Sequence, residues 1–172
     1  MTKPSATTSL SGDRRVPKTH GRIVFRGVID SLQAECIEVQ VLAAEQDLEL
    51  CARFGEILDY LRAIMVAEVK DTPLSEPFLF GMEAEEIHRA SQTIERHLPS
   101  YTQGALAAQI NSFRAKVRAA ELSAIRVFSQ EESEPGVYPR DDIPFGLNRL
   151  SSALWWLFCD HVAKLPKTET AP

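Results

Sequence analysis

From Arg22 onward the apolar residues return every third or fourth position, the period of a helix with one buried face. Phe25, Ile29, Leu32, Cys36, Val39 and Ala43 form such a stripe and predict a helix over roughly residues 22–46. Leu50, Phe54, Ile57, Leu61 and Ile64 repeat it almost at once, so the first two helices should lie antiparallel across a short connection. Asp71, Pro73 and Pro77 stop the second. A shorter, more polar helix is predicted from Glu83 to about Arg96, and Pro99 and Gly104 bracket a turn region. Leu106, Ile110, Phe113, Val117, Ala120 and Ala124 carry a third long helix from about Gln103 to Ser129. EESEPGVYPRDD reads as a surface loop. Leu147, Leu150, Leu154, Leu157 and Phe158 carry the last helix, over roughly residues 141–165. No strand period is visible. The pattern predicts an all-α fold, an antiparallel helical bundle of four long helices and one short one.

The ends lack this periodicity. Residues 1–20 are rich in Ser, Thr, Pro and basic groups and read as a flexible arm; residues 21–166 form the bundle domain, and 167–172 a disordered tail. A chain of 172 residues suits a single domain with a sizeable core. The net charge is −5 and there is no basic tract, which argues against a nucleic-acid partner. The N-terminus has no apolar signal segment, and no apolar run reaches the roughly 18–20 residues of a membrane span. A cytoplasmic protein that does not enter the membrane is expected. Cys36, Cys51 and Cys159 are an odd number without a CxxC and read as reduced thiols in the core. His20, His88, His97 and His161 show no metal spacing, so no structural metal is expected.

Four polar constellations interrupt the bundle pattern. Asn111, Arg114, Arg118 and Glu121 form a stripe beside the Phe113–Val117–Ala120 seam. Guanidinium forks suit phosphate oxygens, and a nearby carboxylate can orient them or hold a hydrated cation; a solvated face with internal ion pairs is the plainer alternative. Asp30 lies inside a helix, with Glu35 beyond it, and invites a partner such as Arg118 or Arg114; otherwise it is simply exposed. TTSLSGDRRVPK, residues 7–18, offers hydroxyls, a glycine and three bases to a phosphate without Walker spacing, or is an unstructured tail. In LNRLSSALWW, residues 147–156, Asn148, Ser152 and Trp155 share one stripe, either a binding wall or a polar flank. The adjacent Trp155 and Trp156 point about 100° apart on a helix, so one of them sits near a flank.

Together these segments resemble the ATP:cob(I)alamin adenosyltransferases, with the closer likeness to the ethanolamine-utilisation type than to the propanediol-utilisation type. TSLSGDRRVPKTHGRIVFRGVIDSL resembles that family's opening, roughly TSLxGxxRVxKxxxRIxxxGxIDxL. HLPSYTQGALAAQINSFRAKVRAAE is similar to its Leu-Pro turn, Ala-rich start and RTxxRRAE core, and LNRLSSALW looks like its closing NRLSxxL. VAEVKDTPLSEPFLFGMEAEEIHRASQ resembles the ethanolamine type specifically. The likeness spans about residues 7–160.

The resemblance implies transfer of the 5′-deoxyadenosyl group of ATP to reduced cobalamin, with Mg²⁺ or another divalent cation, on a homotrimer with sites between subunits. It implies catalytic roles for Arg114, Arg118, Glu121 and Asp30, with Asp30 contacting Arg118 across the interface and Glu121 orienting the arginines. Thr8, Ser9, Arg15, Lys18, Asn148 and Arg149 match nucleotide-side positions, and His97 stands where it would meet the corrin ring or is simply a surface histidine. The match has gaps. Lys3, Pro4 and Ala6 replace Gly, Asp and Gly of the propanediol-type phosphate loop, removing backbone freedom and one N–H donor. Ala119 and Leu122 each stand in place of an arginine, and Arg96 and His97 in place of a phenylalanine. The Cys-rich metal-binding segment of the ethanolamine type lies outside the matched region, so only the catalytic domain is implied. A corrinoid- or nucleotide-binding protein without turnover on the same fold is the alternative, and the altered loop is what separates the two.

Overall fold

In a computed structural model, residues 6–129 and 140–166 are described. A short hairpin, β1 (Thr7–Ser11) and β2 (Arg14–Pro17), precedes five helices: α1 (Gly21–Ala44), α2 (Leu48–Lys70), α3 (Ala84–Thr93), α4 (Gly104–Ser129) and α5 (Asp142–Lys164). The four long helices and the short α3 match the elements expected from the apolar period. The expected stripe of α1 is buried at every position, from Phe25 to Ala43. Leu50, Phe54, Ile57, Leu61 and Ile64 of α2 are buried likewise.

Local chemistry sets the boundaries. Asp47 caps α2 by accepting from Leu50 N–H at 3.0 Å. Asp71 closes α2 in the left-handed region at φ 55°. Glu83 and Glu86 form a capping box at the start of α3. Gly104, at φ 86°, turns the chain from a short 3-10 turn (Tyr101–Gln103) into α4. In the core, α1 packs on both α2 and α4, α4 on α5, and α3 on the outer side of α5. The edge of Phe25, near the start of α1, meets Phe128, near the end of α4, so those two helices run antiparallel.

The expectation of a strand-free chain is corrected at the N-terminus. Residues 7–17 pair as an antiparallel hairpin turned by Gly12 at φ 51°, and they bury Leu10 and Val16. Two buried hydrophobes in so short and polar a stretch give no helical period, which is why it reads as coil. The tail over 167–172 and most of the EESEPGVYPRDD loop lie outside the described residues. Arg140, at the end of that loop, is buried. Its guanidinium forks onto Asp142 at 3.0 and 3.1 Å and donates to the Ala67 and Thr72 carbonyls at the end of α2. It thus ties the last turn of α2 to the first of α5. No helix among the described residues is long and apolar enough to cross a membrane.

Candidate functional site

A cleft of about 440 Å³ opens between α3, α4 and α5. Arg114, Arg118, Glu121 and Leu122 of α4 face Asn148, Ser151, Ser152 and Trp155 of α5, while Ser91, Gln92 and Arg96 close the α3 side. Two of the polar stripes read from the sequence therefore face each other. The stripe residues are those that helical spacing puts beside, not within, the buried seams of α4 and α5. Asn111, the first member of its stripe, is half-buried but does not line the cleft.

Arg114 is half-buried with its guanidinium carbon 4.9 Å from the Trp155 ring centroid. Trp155 in turn stacks on Phe158 at 5.6 Å. The Nε of Arg114 is buried and has no hydrogen-bond partner among the described residues. Burial, and then the neighbouring charge of Arg118, hold Arg114 below the ordinary arginine range. Arg118 is exposed at the cleft mouth. No carboxylate pairs with either arginine among the described residues. A half-desolvated cation beside a second cation favours an anion in the cleft.

The expected role of Glu121 in orienting the arginines is not met within the chain. Its carboxylate accepts from Asn148 Nδ2 at 3.0 Å instead. The other end of the Asn148 amide accepts from Arg149 at 3.0 Å. Arg149 itself turns away from the cleft, donating to Glu85 Oε1 at 2.8 Å and lying 4.6 Å from the Phe145 ring centroid. The Arg149 hydrogen bond holds Glu85 below the usual carboxylate range. His97 does not line the cleft; its ring is half-buried, and Nε2 has no partner among the described residues. Burial pushes the Cys159 thiol up, which disfavours its thiolate form.

The hairpin residues stand elsewhere. Thr8 is half-buried, and Ser9, Arg15 and Lys18 are exposed. Arg15 donates to Thr7 Oγ1 at 2.7 Å, and Ser9 Oγ to the Gly12 carbonyl at 2.7 Å. The hairpin rests on α1 and α2, whereas the cleft belongs to α3, α4 and α5. Asp30 is exposed on α1, and neither Arg114 nor Arg118 of the same chain pairs with it. Glu35 pairs with Lys116 at 2.8 Å. One chain thus assembles the α4–α5 half of the expected site and leaves Asp30 and the hairpin on other faces.

A sequence model of the family described as cobalamin adenosyltransferase matches residues 1–160. The chain belongs to that family. Among similar proteins, the corrinoid adenosyltransferase EutT of Salmonella typhimurium is 34% identical over 176 residues, and that of Escherichia coli K12 is 34% identical over 172 residues. Each match covers 96% of this chain but 62% of the relative, so the chain spans under two thirds of their length. Among solved structures, a variant PduO-type ATP:corrinoid adenosyltransferase from Lactobacillus reuteri, complexed with cobalamin and ATP, superposes with a TM-score of 0.67. It is 21% identical, and the match covers 94% of this chain and 92% of that one. At that identity the likeness establishes the cobalamin adenosyltransferase fold, helical bundle included.

The sequence singles out the α4 and α5 stripes and Arg96, but not Ser91 or Gln92 as site residues, nor the ion pairs that Arg22 and Arg26 make with Glu68 of α2. Ser91 and Gln92 close the segment that resembles the ethanolamine type, but they carry no charge and sit on a short helix, so nothing singled them out as site residues. Arg22 and Arg26, four apart at the start of α1, were a legible pair; their partner Glu68 is distant in sequence.

Proposed function

We propose that the protein transfers the 5′-deoxyadenosyl group of ATP to cob(I)alamin, giving adenosylcobalamin and releasing triphosphate. The carrying observation is a cleft cation with no carboxylate partner among the described residues: Arg114, packed on Trp155 beside Arg118, is built to receive an anion. The cobalt nucleophile attacks the 5′ carbon, the carbon–oxygen bond to the triphosphate breaks, and its electron pair leaves on the phosphate oxygen. Negative charge grows on that oxygen, so fixed guanidinium groups stabilise the departure. The reaction needs no general base, and the cleft offers no histidine–carboxylate pair.

Glu121 is the carboxylate among the lining residues. Glu121 would hold a divalent cation there, which would supply positive charge against the departing triphosphate. The separation of hairpin and cleft supports a site shared between subunits, with Thr8, Ser9, Arg15 and Lys18 of one chain facing Arg114 and Arg118 of another. A homotrimer with an Asp30–Arg118 contact across the interface supplies that arrangement. Arg149, turned toward Glu85, supports Asn148 rather than the nucleotide directly. Ethanolamine utilisation is the process suggested by the EutT relatives, and unpaired Cys36, Cys51 and Cys159 suit the reducing cytoplasm.

The test is anaerobic incubation of the protein with ATP, Mg²⁺ and chemically reduced cob(I)alamin, followed by absorption spectroscopy. Conversion to adenosylcobalamin is expected. No product above the protein-free background overturns the reading, and ATP binding without product would favour the non-catalytic alternative.

A further inference from the structure

In the hairpin ladder Ser9 pairs with Arg15 and Ser11 with Arg14, so Leu10 is one residue too many. A bulge of this kind leaves a backbone group without a cross-strand partner, and a buried carbonyl in that position needs one from elsewhere. The Leu10 carbonyl finds it in α1, accepting from Arg26 Nη2 at 2.8 Å. The Nε of Arg26 bonds to one carboxylate oxygen of Glu68, and Arg22 Nε bonds to the other. Arg22 also donates to the Glu68 backbone carbonyl at 2.8 Å.

Glu68 is 1% exposed. A buried carboxylate is tolerated when both oxygens are met by charged donors, yet an apolar residue would fill the same place without the desolvation cost. What the carboxylate adds is direction. Held by Glu68 at Nε, the planar Arg26 fork has its outer nitrogen aimed at the bulge. The side chains of Leu10 and Val16 hold the hairpin by burial, which has no direction. A slip of one residue in either strand would turn that strand's side chains to the opposite face.

We propose that Glu68 and Arg26 form a clamp that fixes the register and seat of the hairpin, and so act as positioning residues for ATP. The clamp stands on the geometry of the chain; the effect on ATP rests on the proposed function, in which the hairpin meets the phosphates. Neither residue touches the nucleotide.

Arg26→Lys is the first test. Lysine keeps a positive charge beside Glu68, but one ammonium does not span both the carboxylate and the Leu10 carbonyl. Amide hydrogen exchange in residues 7–17 should quicken about tenfold, and affinity for Mg-ATP by calorimetry should fall by about the same factor, the weight of one hydrogen bond to a charged group. Exchange in the α4 and α5 core should not change, which shows that the bundle is intact. Glu68→Gln, which keeps the shape and removes the charge, should shift the same two readouts. Unchanged hairpin exchange in a folded Arg26→Lys protein overturns the clamp. Faster exchange with unchanged ATP affinity overturns the positioning role. If the wild-type protein binds no ATP, the proposed function fails, and the clamp stands or falls on exchange alone.

Discussion

Arg114 and Arg118 sit four residues apart on one helix, yet their surroundings divide their work. Arg114 is stacked on Trp155 and half-buried, whereas Arg118 is exposed at the mouth. If the cleft receives a triphosphate, Arg118→Ala should weaken Mg-ATP binding by about tenfold or more, as loss of a charge-assisted hydrogen bond does. Calorimetry at two salt concentrations measures it; unchanged affinity would place the triphosphate elsewhere. Two other side chains contribute to the pH response of the fold. Burial lowers His161 from its ordinary value, with Asp47 and Asp160 opposing. Burial would raise Asp142, but hydrogen bonds from Arg140 and the Leu74 N–H outweigh it and hold that carboxyl low. Both groups bind protons more readily in the unfolded chain, so both make stability rise with pH. The His161 contribution is full above about pH 6.5 and is lost as pH falls from there through its folded value; that of Asp142 is lost below about pH 4. Denaturant melts from pH 8 to pH 3 should show two successive falls in stability and no gain on acidification.

At the scale of elements, α5 is the organiser. It contacts α2, α3 and α4, and its polar stripe supplies one wall of the cleft. Gly146 lets it approach α2: a Cβ there would stand 2.4 Å from Tyr60 Oη, 3.2 Å from Leu74 and 3.3 Å from the Tyr60 ring. Gly→Ala inside a helix ordinarily gains up to about 1 kcal/mol. Here overpacking, at about 1–3 kcal/mol, should win, so Gly146→Ala should lower the denaturation midpoint. Arg140→Met should cost more, about 3 kcal/mol by the same measurement, because it strands the Asp142 carboxylate and the α2 carbonyls. The long helices were legible because each carries an unbroken apolar stripe, and Asp47, Asp71 and Gly104 mark their ends. The hairpin was not: its buried residues, Leu10 and Val16, matter only because α1 and α2 lie beneath them.

For the whole molecule, the division of faces is the central fact. The cleft opens between α3, α4 and α5, Asp30 projects from α1, and the hairpin rests on α1 and α2. If a second copy completes the site, charge reversal at Asp30 alone or Arg118 alone should weaken assembly. Reversing both should restore it, as read by analytical ultracentrifugation; failure of the double variant would assign Asp30 another partner. The sequence by itself determined the helices, their order and the two polar stripes, because period and residue type are local properties. It also carried the motif order by which the family was legible. Tertiary structure alone decided which charges meet. It set Asn148 rather than an arginine against Glu121, turned Arg149 toward Glu85, and joined Glu68 to Arg26 and the hairpin bulge. Those pairings join residues far apart in the chain, and the packing of helices, not the spacing of letters, brings such partners within bonding distance.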